Sequence, residues 1–577
     1  MPEEGDRMKT AARLVILTAA VAVLAASALL SSGGEAISFY AIPYDAFRSL
    51  IRMTAAYIIS ILFSLVYAYA MYASRRAERI MHPILDVLQS VPILGFFPVA
   101  LYFFVEIVSG NEIGWEFASI FLIFTSMVWN ITFGMYDSLI SIPRELNDAA
   151  KIYGLTGWRR FGALFFPSMI PKLVYNSMVS WAGGWYFLIP AEYITTSISA
   201  SGGGAVLPGL GSILYLSALK GEVGLMAATF AVLVIIIVAM DLLIWRPLSA
   251  WSEKYKYEYT VTDGEGTVYT RFPMRQYYAW FPLVPGSSRL ISKTVGRAAD
   301  AFNNAGHRVA HFFGRTAKYW KFAMLSAVAV FFALFIFAAF GALETVYALI
   351  TGPGKEYAAI MPEALGLSLL RLVAAYFISL AIAIPLAVAA TGKGRGKHLM
   401  MAAEIVASVP ATAIFPIIVF LLIDITHGLN IPSILLLVTG MVWYIFFNVS
   451  AGLKSIPSEI IEAARNYGVR GRLYVRRIML PAIFPSLVTG SITAFGGGWN
   501  ALIVSEYVPS ITPGASPYYV LGIGYLIDKA TYTVPENTGL LVFSLIVMIC
   551  VVIAINRLFW RRMQRLAEKK YKMEGIS

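Results

Sequence analysis

Cysteine, histidine and nucleotide-binding glycine motifs are scarce or missing in this sequence of 577 residues. The one cysteine, Cys550, has no partner for an intrachain disulfide, and neither it nor the five histidines show metal-ligand spacing. The nearest approach to G-x-x-x-x-G-K-[ST] is TGKGRGKH at 391–398, which lacks the spacing and the hydroxyl. These absences exclude P-loop ATP hydrolysis and an intrachain disulfide, and they argue against a metal site.

Charged residues are also few. They make up 14% of the chain, against about 25% in a typical soluble domain, whereas hydrophobic residues make up 58%. Apolar stretches long enough to cross about 30 Å of hydrocarbon recur from one end to the other. The composition therefore predicts an all-α polytopic membrane protein embedded in a lipid bilayer.

The net charge of +12 is carried by segments between the apolar stretches, for example Arg75, Arg76 and Arg79, Lys151 and Arg160. This is the positive-inside distribution, which orients a membrane protein and does not indicate a nucleic-acid partner.

Twelve spans are predicted, six in each half, and both termini then lie in the cytoplasm of a cell-membrane protein. Residues 12–31 also fit a cleaved signal peptide, but an equivalent stretch at 322–342 favours a retained span. The spans lie near 12–31, 47–73, 83–107, 115–137, 168–190, 223–245, 322–342, 362–391, 399–424, 431–452, 477–504 and 535–560.

The two halves are copies of each other. The segments 141–174 and 455–488 share 13 of 34 positions without a gap, where composition alone gives roughly two or three. An even number of spans in each copy predicts two parallel repeats related by a pseudo-two-fold axis along the membrane normal. We therefore predict a first unit at 1–245, a polar, basic cytoplasmic connector at 246–321, and a second unit at 322–577.

A polar loop follows the fourth span of each unit. In the second unit, SIPSEIIEAARNYGVRGRLYVRRIMLP at 455–481 predicts a helix of about eleven residues, with Pro457 in its first turn, Glu459 and Glu462 near its positive end and Gly468 as its stop. Ala463 and Ala464 leave one face nearly flat, so another surface can approach it closely. An ordinary interfacial loop explains one such segment, but two at matching positions favour a docking element.

This loop resembles the signature of permeases of binding-protein-dependent ABC importers. The signature is Glu-Ala-Ala, three residues, Gly, nine residues, Ile, one residue and Leu-Pro. The second loop fits at every position: Glu462, Ala463, Ala464, Gly468, Ile478, Leu480 and Pro481. The first loop keeps Ala149, Ala150, Gly154 and Pro167, but has Asp148, Leu164 and Phe166 at the other three positions. The SVP turn, the GGW segments and the GLG/GIG segments (209–211, 522–524) look most like the nitrate/sulfonate/bicarbonate-type branch.

The resemblance implies that each loop inserts a coupling helix into one of two separate nucleotide-binding subunits. Those subunits would hold ATP and magnesium, and this chain would hold no cofactor. An extracellular solute-binding protein would deliver a small solute, and the fused chain would supply the whole membrane channel. The alternative is an ion-coupled secondary transporter with two parallel repeats. That class predicts acidic residues at mid-membrane, whereas the acids here lie near the span ends, and it does not explain the duplicated loops. A membrane enzyme is a weaker alternative.

Ionisable residues near the predicted outer ends of the spans form matched pairs, which are Arg52 and Arg371, Glu106 and Asp424, and Glu192 and Glu506. Such residues either reach the interface or pair with one another to hold the bundle together. We rank this above direct contact with an anionic substrate through Arg52 and Arg371.

Glycines precede a tryptophan in both predicted fifth spans: Gly183, Gly184 and Trp185 in the first, and Gly496 to Gly498, Trp499 and Asn500 in the second. Glycines allow close helix packing, which by itself explains them. The tryptophan beside them in both copies favours Gly184, Trp185, Gly498, Trp499 and Asn500 as candidates for a gate or pathway lining.

Overall fold

The chain folds almost entirely into helices in the computed structural model, which describes residues 38–90, 92–104, 112–155, 160–201, 207–255, 341, 344–352, 354–392, 396–508, 518–532 and 537–571. In the first half the helices are α1 (Ile42–Ala73), α2 (Arg75–Ser90), a 3-10 turn (Ile93–Phe96), α3 (Phe97–Tyr102), α4 (Glu112–Ile140), α5 (Arg144–Ile152), α6 (Phe166–Ser201), α7 (Leu210–Lys220), α8 (Val223–Met240) and α9 (Arg246–Ser252).

The second half repeats this order. Its helices are α10 (Lys355–Thr391), α11 (Gly396–Ser408), α12 (Ala411–Thr426), α13 (Asn430–Lys454), α14 (Ser458–Asn466), α15 (Gly471–Tyr474), α16 (Leu480–Ser505), α17 (Ile523–Tyr532), α18 (Thr538–Ile555) and α19 (Arg561–Tyr571). The strands β1 (Tyr507–Val508) and β2 (Tyr518–Tyr519) pair antiparallel, with Tyr507 opposite Tyr519.

Seven helices of the described residues are long and apolar enough to cross a membrane, or eight if one bent helix pair counts as a span. The protein is therefore a multi-pass membrane protein. The predicted span 12–31 and nearly all of 322–342 lie outside the described residues, as does most of the predicted connector. At its start, residues 246–252 continue helically as α9.

The third predicted span of each unit is not one straight helix. The sequence Ser-Val-Pro ends α2 at Ser90 and α11 at Ser408, and the chain resumes as the 3-10 turn at Ile93 and as α12 at Ala411. In the second unit the two pieces meet at an angle of 81°. Proline disfavours helical geometry in the residue before it and has no N–H to donate, so the break at this tripeptide follows from the sequence.

The long helices bury small residues and expose large apolar ones. In α1, Ser60 and Ser64 are fully buried, whereas Ile58, Leu62 and Val66 are exposed. Lipid is as apolar as these side chains, so helices associate through close packing and hydrogen bonds, for which small residues are suited. The matching helix α10 buries Ala375, Ser379, Ala383 and Ala387 at intervals of four.

The central helix of each unit lies between two others, α4 between α1 and α6, and α13 between α10 and α16. Gly184 makes the approach possible in the first unit, because a Cβ there would lie 2.2 Å from Met127 Cε and 2.9 Å from Met53 Cε. Gly498 does the same in the second unit, where a Cβ would lie 2.6 Å from Leu372 Cδ1.

Single π-helical turns recur at matching places. One precedes α6 (Phe161–Phe165) and its counterpart precedes α16 (Val475–Met479). Another follows α8 (Asp241–Trp245) and its counterpart follows α18 (Asn556–Trp560). The second pair of turns ends in buried tryptophans that contact equivalent tyrosines, with ring centroids 5.8 Å apart for Trp245 and Tyr57 and 6.2 Å apart for Trp560 and Tyr376.

The two units contact each other through their Ser-Val-Pro breaks. Leu94 N–H of the first unit lies 3.4 Å from Asn500 Oδ1 of the second. In the reciprocal contact, Thr412 Oγ1 of the second unit donates to the carbonyl of Tyr186 in the first at 2.8 Å. The segment after each break therefore packs against the other unit's helix that carries the GGW sequence, which is α16 for the first break and α6 for the second.

The glycine packing gives a direct test. We expect Gly184→Val to lower the free energy of unfolding by about 1–3 kcal/mol, because its side chain overlaps Met127 and Met53. Gly183→Val is the matched control, since a Cβ at Gly183 meets nothing within 4 Å. Thermal unfolding of the detergent-solubilised chain measures both; similar losses for the two variants would contradict this packing.

Candidate functional site

The two loop helices, α5 and α14, end in the same way. Gly154 and Gly468 are left-handed, with φ of 67° and 66°, a conformation that glycine adopts without strain. The N–H groups after each helix return to its last turn, from Leu155 to the Ala150 carbonyl at 2.9 Å and from Val469 to the Ala464 carbonyl at 2.8 Å. This is a Schellman end.

The second loop helix is shorter than predicted from the sequence. It has nine residues, and Pro457 precedes it as the N-cap residue and does not lie in its first turn. The backbone of Pro457 is extended, with ψ of 138°, so the helix begins one residue later, at Ser458.

The exposed face of each loop helix differs from the flat alanine face that the sequence suggested. Ala464 is only 5% exposed, and Ala150 is buried in the same way, so the second alanine of each motif packs against the protein itself. Large side chains are exposed instead at the end of each helix: Ile152 at 84% and Tyr153 at 82% in the first, and Tyr467 at 87% in the second, each tyrosine directly before the capping glycine. Tyrosine is enriched at protein–protein interfaces, so an exposed tyrosine on each loop suits a contact surface.

The acidic residues of the motif, Asp148 and Glu462, are exposed. Lys151 Nζ donates to Asp148 Oδ1 at 2.8 Å, one helical turn away. This hydrogen bond and the lysine's charge lower the pKa of Asp148 from its usual value. The acid that replaces glutamate in the first loop is therefore ionised and partly neutralised by a neighbour.

At the opposite end of the bundle, which we call the far end, a buried hydrogen-bond network surrounds Glu192. Arg52 Nη1 donates to Glu192 Oε1 at 2.7 Å, and Ser49 Oγ donates to the same oxygen at 2.6 Å. The N–H of Gly211, in the first turn of α7, donates to Glu192 Oε2 at 2.8 Å. Arg52 is 1% exposed and Glu192 is fully buried.

The second unit repeats this network. Arg371 Nη1 and Ser368 Oγ donate to Glu506 Oε1 at 2.7 and 2.6 Å, and the N–H of Gly524 donates to Oε2 at 2.8 Å. We call the two groups the far-end networks; their members are Ser49, Arg52, Glu192 and Gly211, and Ser368, Arg371, Glu506 and Gly524.

The far-end networks differ in one partner. Arg52 also donates from Nε to Glu116 Oε2 at 2.6 Å, and Arg48 pairs with the same carboxylate. In the second unit, Arg371 Nε donates to the amide oxygen of Asn430 at 3.1 Å. One arginine is thus held by two carboxylates and the other by one.

These contacts favour pairing over direct substrate binding for the two arginines, because an anion would have to displace a carboxylate from each. Glu106 lies outside the described residues. Asp424 is exposed and is in no ion pair among the residues that the structure describes. Arg52, Arg371, Glu192 and Glu506 are brought together as matched pairs, whereas Asp424 stays apart from them.

The candidate gate residues lie mainly in packed positions. Trp185 is fully buried and Trp499 nearly so, and Gly184 and Gly498 are closely surrounded. Asn500 faces the other unit through its contact with Leu94. This geometry accounts for the glycines by packing and leaves a role in the pathway as a prediction.

A cavity of about 330 Å³ lies between the units at the far end. It is bounded by the C-terminal half of α7 from the first unit and by one face of α12 from the second. Within the described part of the chain, no group of three or more His, Cys, Asp or Glu residues is placed to hold a metal ion.

Sequence reasoning missed Glu116, Ser49 and the backbone donors of α7 and α17. Ser49 and Ser368 precede the paired arginines by three residues, so both lie on the arginine's face of the helix. This spacing is the sequence feature that could have predicted the two serines. No such feature marks Glu116, because the equivalent residue of the second unit is Asn430 and the two do not form a matched acidic pair.

A scan against family models identifies the family described as binding-protein-dependent transport system inner membrane component, which matches twice, at residues 60–244 and 379–570. The resemblance inferred from the loops is therefore confirmed, and so is the duplication.

Curated relatives carry related names. A putative ABC transporter permease protein of Methanocaldococcus jannaschii is 28% identical over 167 residues, which cover 28% of this chain and 57% of the relative. A putative aliphatic sulfonates transport permease protein of Escherichia coli is 28% identical over 128 residues, 22% of this chain and 43% of that protein. A bicarbonate transport system permease protein of Synechococcus elongatus is 33% identical over 89 residues, 15% of this chain and 29% of that protein.

The unequal far-end networks predict unequal effects of one substitution. Glu506→Gln leaves Arg371 buried without a carboxylate, which we expect to cost about 3–5 kcal/mol of unfolding free energy. Glu192→Gln should cost less, because Arg52 keeps Glu116. Thermal unfolding compares the two, with Glu404→Gln on exposed α11 as the control. A larger loss in Glu192→Gln than in Glu506→Gln would contradict this assignment.

Proposed function

Because the chain belongs to the family of binding-protein-dependent transport system inner membrane components, we propose that it is the channel-forming permease of an ATP-driven importer for a small solute. The observation that carries the proposal is the pair of matched loop helices. Each is short, ends at a left-handed glycine and exposes a tyrosine outside the spans. Two such elements suit docking on two nucleotide-binding subunits, which would bind ATP and magnesium.

In this proposal the chain carries twelve spans as two parallel six-span units, at 1–245 and 322–577, related by a pseudo-two-fold axis. The basic segment 246–321 connects them in the cytoplasm, and both termini lie there too. The contacts of each Ser-Val-Pro break with the other unit support a single channel formed by one chain. A solute-binding protein delivers the solute from outside.

The far-end networks then belong to the outer side, because α5 and α14 lie at the opposite ends of the same helices. The first network joins α1, α6 and α7, and the second joins α10, the end of α16 and α17. We propose that they hold the outer ends of the bundle together while closure of the nucleotide-binding subunits moves the loop helices. Residues near Gly184, Trp185, Gly498, Trp499 and Asn500 are proposed to transmit this movement to the pathway.

The docking proposal is tested by removing the exposed tyrosines. We expect Tyr153→Ala and Tyr467→Ala each to weaken retention of the nucleotide-binding subunit roughly tenfold in co-purification, since truncating an aromatic anchor often costs more than about 1 kcal/mol. Tyr40→Ala, equally exposed at the far end, is the matched control. Undiminished retention and transport in the double tyrosine variant would contradict docking at α5 and α14.

The two alanines of the motif separate docking from folding. Ala463→Leu adds volume to the exposed face of α14 and should weaken retention of the subunit without changing thermal unfolding. Ala464→Leu adds volume to a buried position and should lower stability, by about 1–3 kcal/mol. If Ala464→Leu instead weakened retention and Ala463→Leu lowered stability, the docking face would lie on the other side of α14.

A further inference from the structure

The cavity between the units combines an apolar interior with two charges of opposite sign. On α12 its lining residues recur at helical spacing and form one continuous face. They are Phe415, Pro416, Val419, Phe420, Ile423 and Asp424. That face points at the end of α7, where a Cβ on Gly221 would lie 3.8 Å from Phe420.

Tyrosines form the rest of the wall. Tyr193 and Tyr215 of the first unit are buried and stacked, with ring centroids 5.1 Å apart. Tyr507 and Tyr518 line it from the second unit. Aromatic faces pack against an apolar body and attract a cation held over the ring, while phenolic groups exchange hydrogen bonds with polar atoms.

Two of the described lining residues are charged: Lys220, the last residue of α7, and Asp424, near the end of α12. They come from different units, both are exposed, and neither is in an ion pair among the described residues. A ligand in the cavity therefore meets one ammonium and one carboxylate in addition to the aromatic wall.

We propose that this cavity binds a small zwitterion with an apolar body, whose anionic group pairs with Lys220 and whose cationic group pairs with Asp424. A volume of about 330 Å³ lies at the small end of ligand pockets. A simple inorganic anion is a poorer fit, because Asp424 repels it and Arg52 and Arg371 are already held by carboxylates. The proposal rests on the proposed function, since the cavity then opens to the side from which solute arrives.

The test uses the full chain in detergent and isothermal titration calorimetry with L-phenylalanine as the probe. Two analogues each lack one charge: 3-phenylpropanoate has no ammonium and 2-phenylethylamine has no carboxylate. We expect L-phenylalanine to bind roughly tenfold more tightly than either analogue, since each charge-assisted contact adds to the affinity.

Two variants assign the charges. Lys220→Gln should weaken L-phenylalanine binding roughly tenfold without weakening 2-phenylethylamine, whereas Asp424→Asn should weaken L-phenylalanine binding to a similar extent without weakening 3-phenylpropanoate. Both positions are exposed, so the variants should fold. Lys454→Gln and Glu404→Gln, exposed positions away from the cavity, should bind like the unaltered chain.

No binding of L-phenylalanine, equal affinity for the three probes, or affinities that neither cavity variant alters would overturn the zwitterion site. If retention of the nucleotide-binding subunit still depends on Tyr467, the importer proposal survives that result. If L-phenylalanine binds as expected while the tyrosine variants retain the subunit fully, docking at α5 and α14 is wrong and the site stands.

Discussion

A carboxylate inside a membrane-spanning bundle must be surrounded by donors of the protein, because hydrocarbon supplies none. Glu192 and Glu506 meet this requirement with an arginine, a serine and a backbone N–H that come from two other helices. Satisfying one side chain therefore fixes the relative positions of three elements. It also explains Gly209 and Gly522, where a Cβ would lie 2.3 and 2.1 Å from the glutamate carboxyl groups.

The units share this constraint but are not interchangeable. Glu116 in the first unit corresponds to Asn430 in the second, so the arginines differ in the charge around them. The loop helices differ as well, since exposed Ile152 precedes Tyr153 in the first and Asn466 precedes Tyr467 in the second. The two loop helices, which we propose as docking elements, therefore present different side chains to a partner.

Much of this arrangement could be predicted from the sequence because it depends on local patterns. Apolar length predicts the long membrane-crossing helices that the structure describes, matched segments predict the duplication, and the glycine after Tyr467 predicts the end of α14. The pairing of Arg52 with Glu192 could be predicted only as one of several possible pairings, because the two residues are 140 positions apart in the sequence. The buried side of Ala464 was not predictable, since an isolated helix with two adjacent alanines does not indicate which one faces the protein.

The partnership of Arg52 with Glu116 and the cavity between the units depend on contacts between helices that no periodic pattern encodes. Lys220 and Asp424 line one cavity although they occupy unrelated positions in their own units. That they share a cavity is seen only when α7 and α12 lie side by side in the folded chain.

The π-helical turns carry information about the history of the molecule. In the first unit Pro247 follows the turn at Asp241–Trp245, and a proline that lacks an N–H favours such a bulge. In the second unit the turn at Asn556–Trp560 is followed by Arg561 and Arg562, with no proline, yet the bulge and its buried tryptophan are the same. Proline is therefore not required for the bulge, and the buried tryptophan packed against a tyrosine is what the two copies share. Its presence at the same place in both copies points to an ancestral single unit that already contained it before the gene was duplicated.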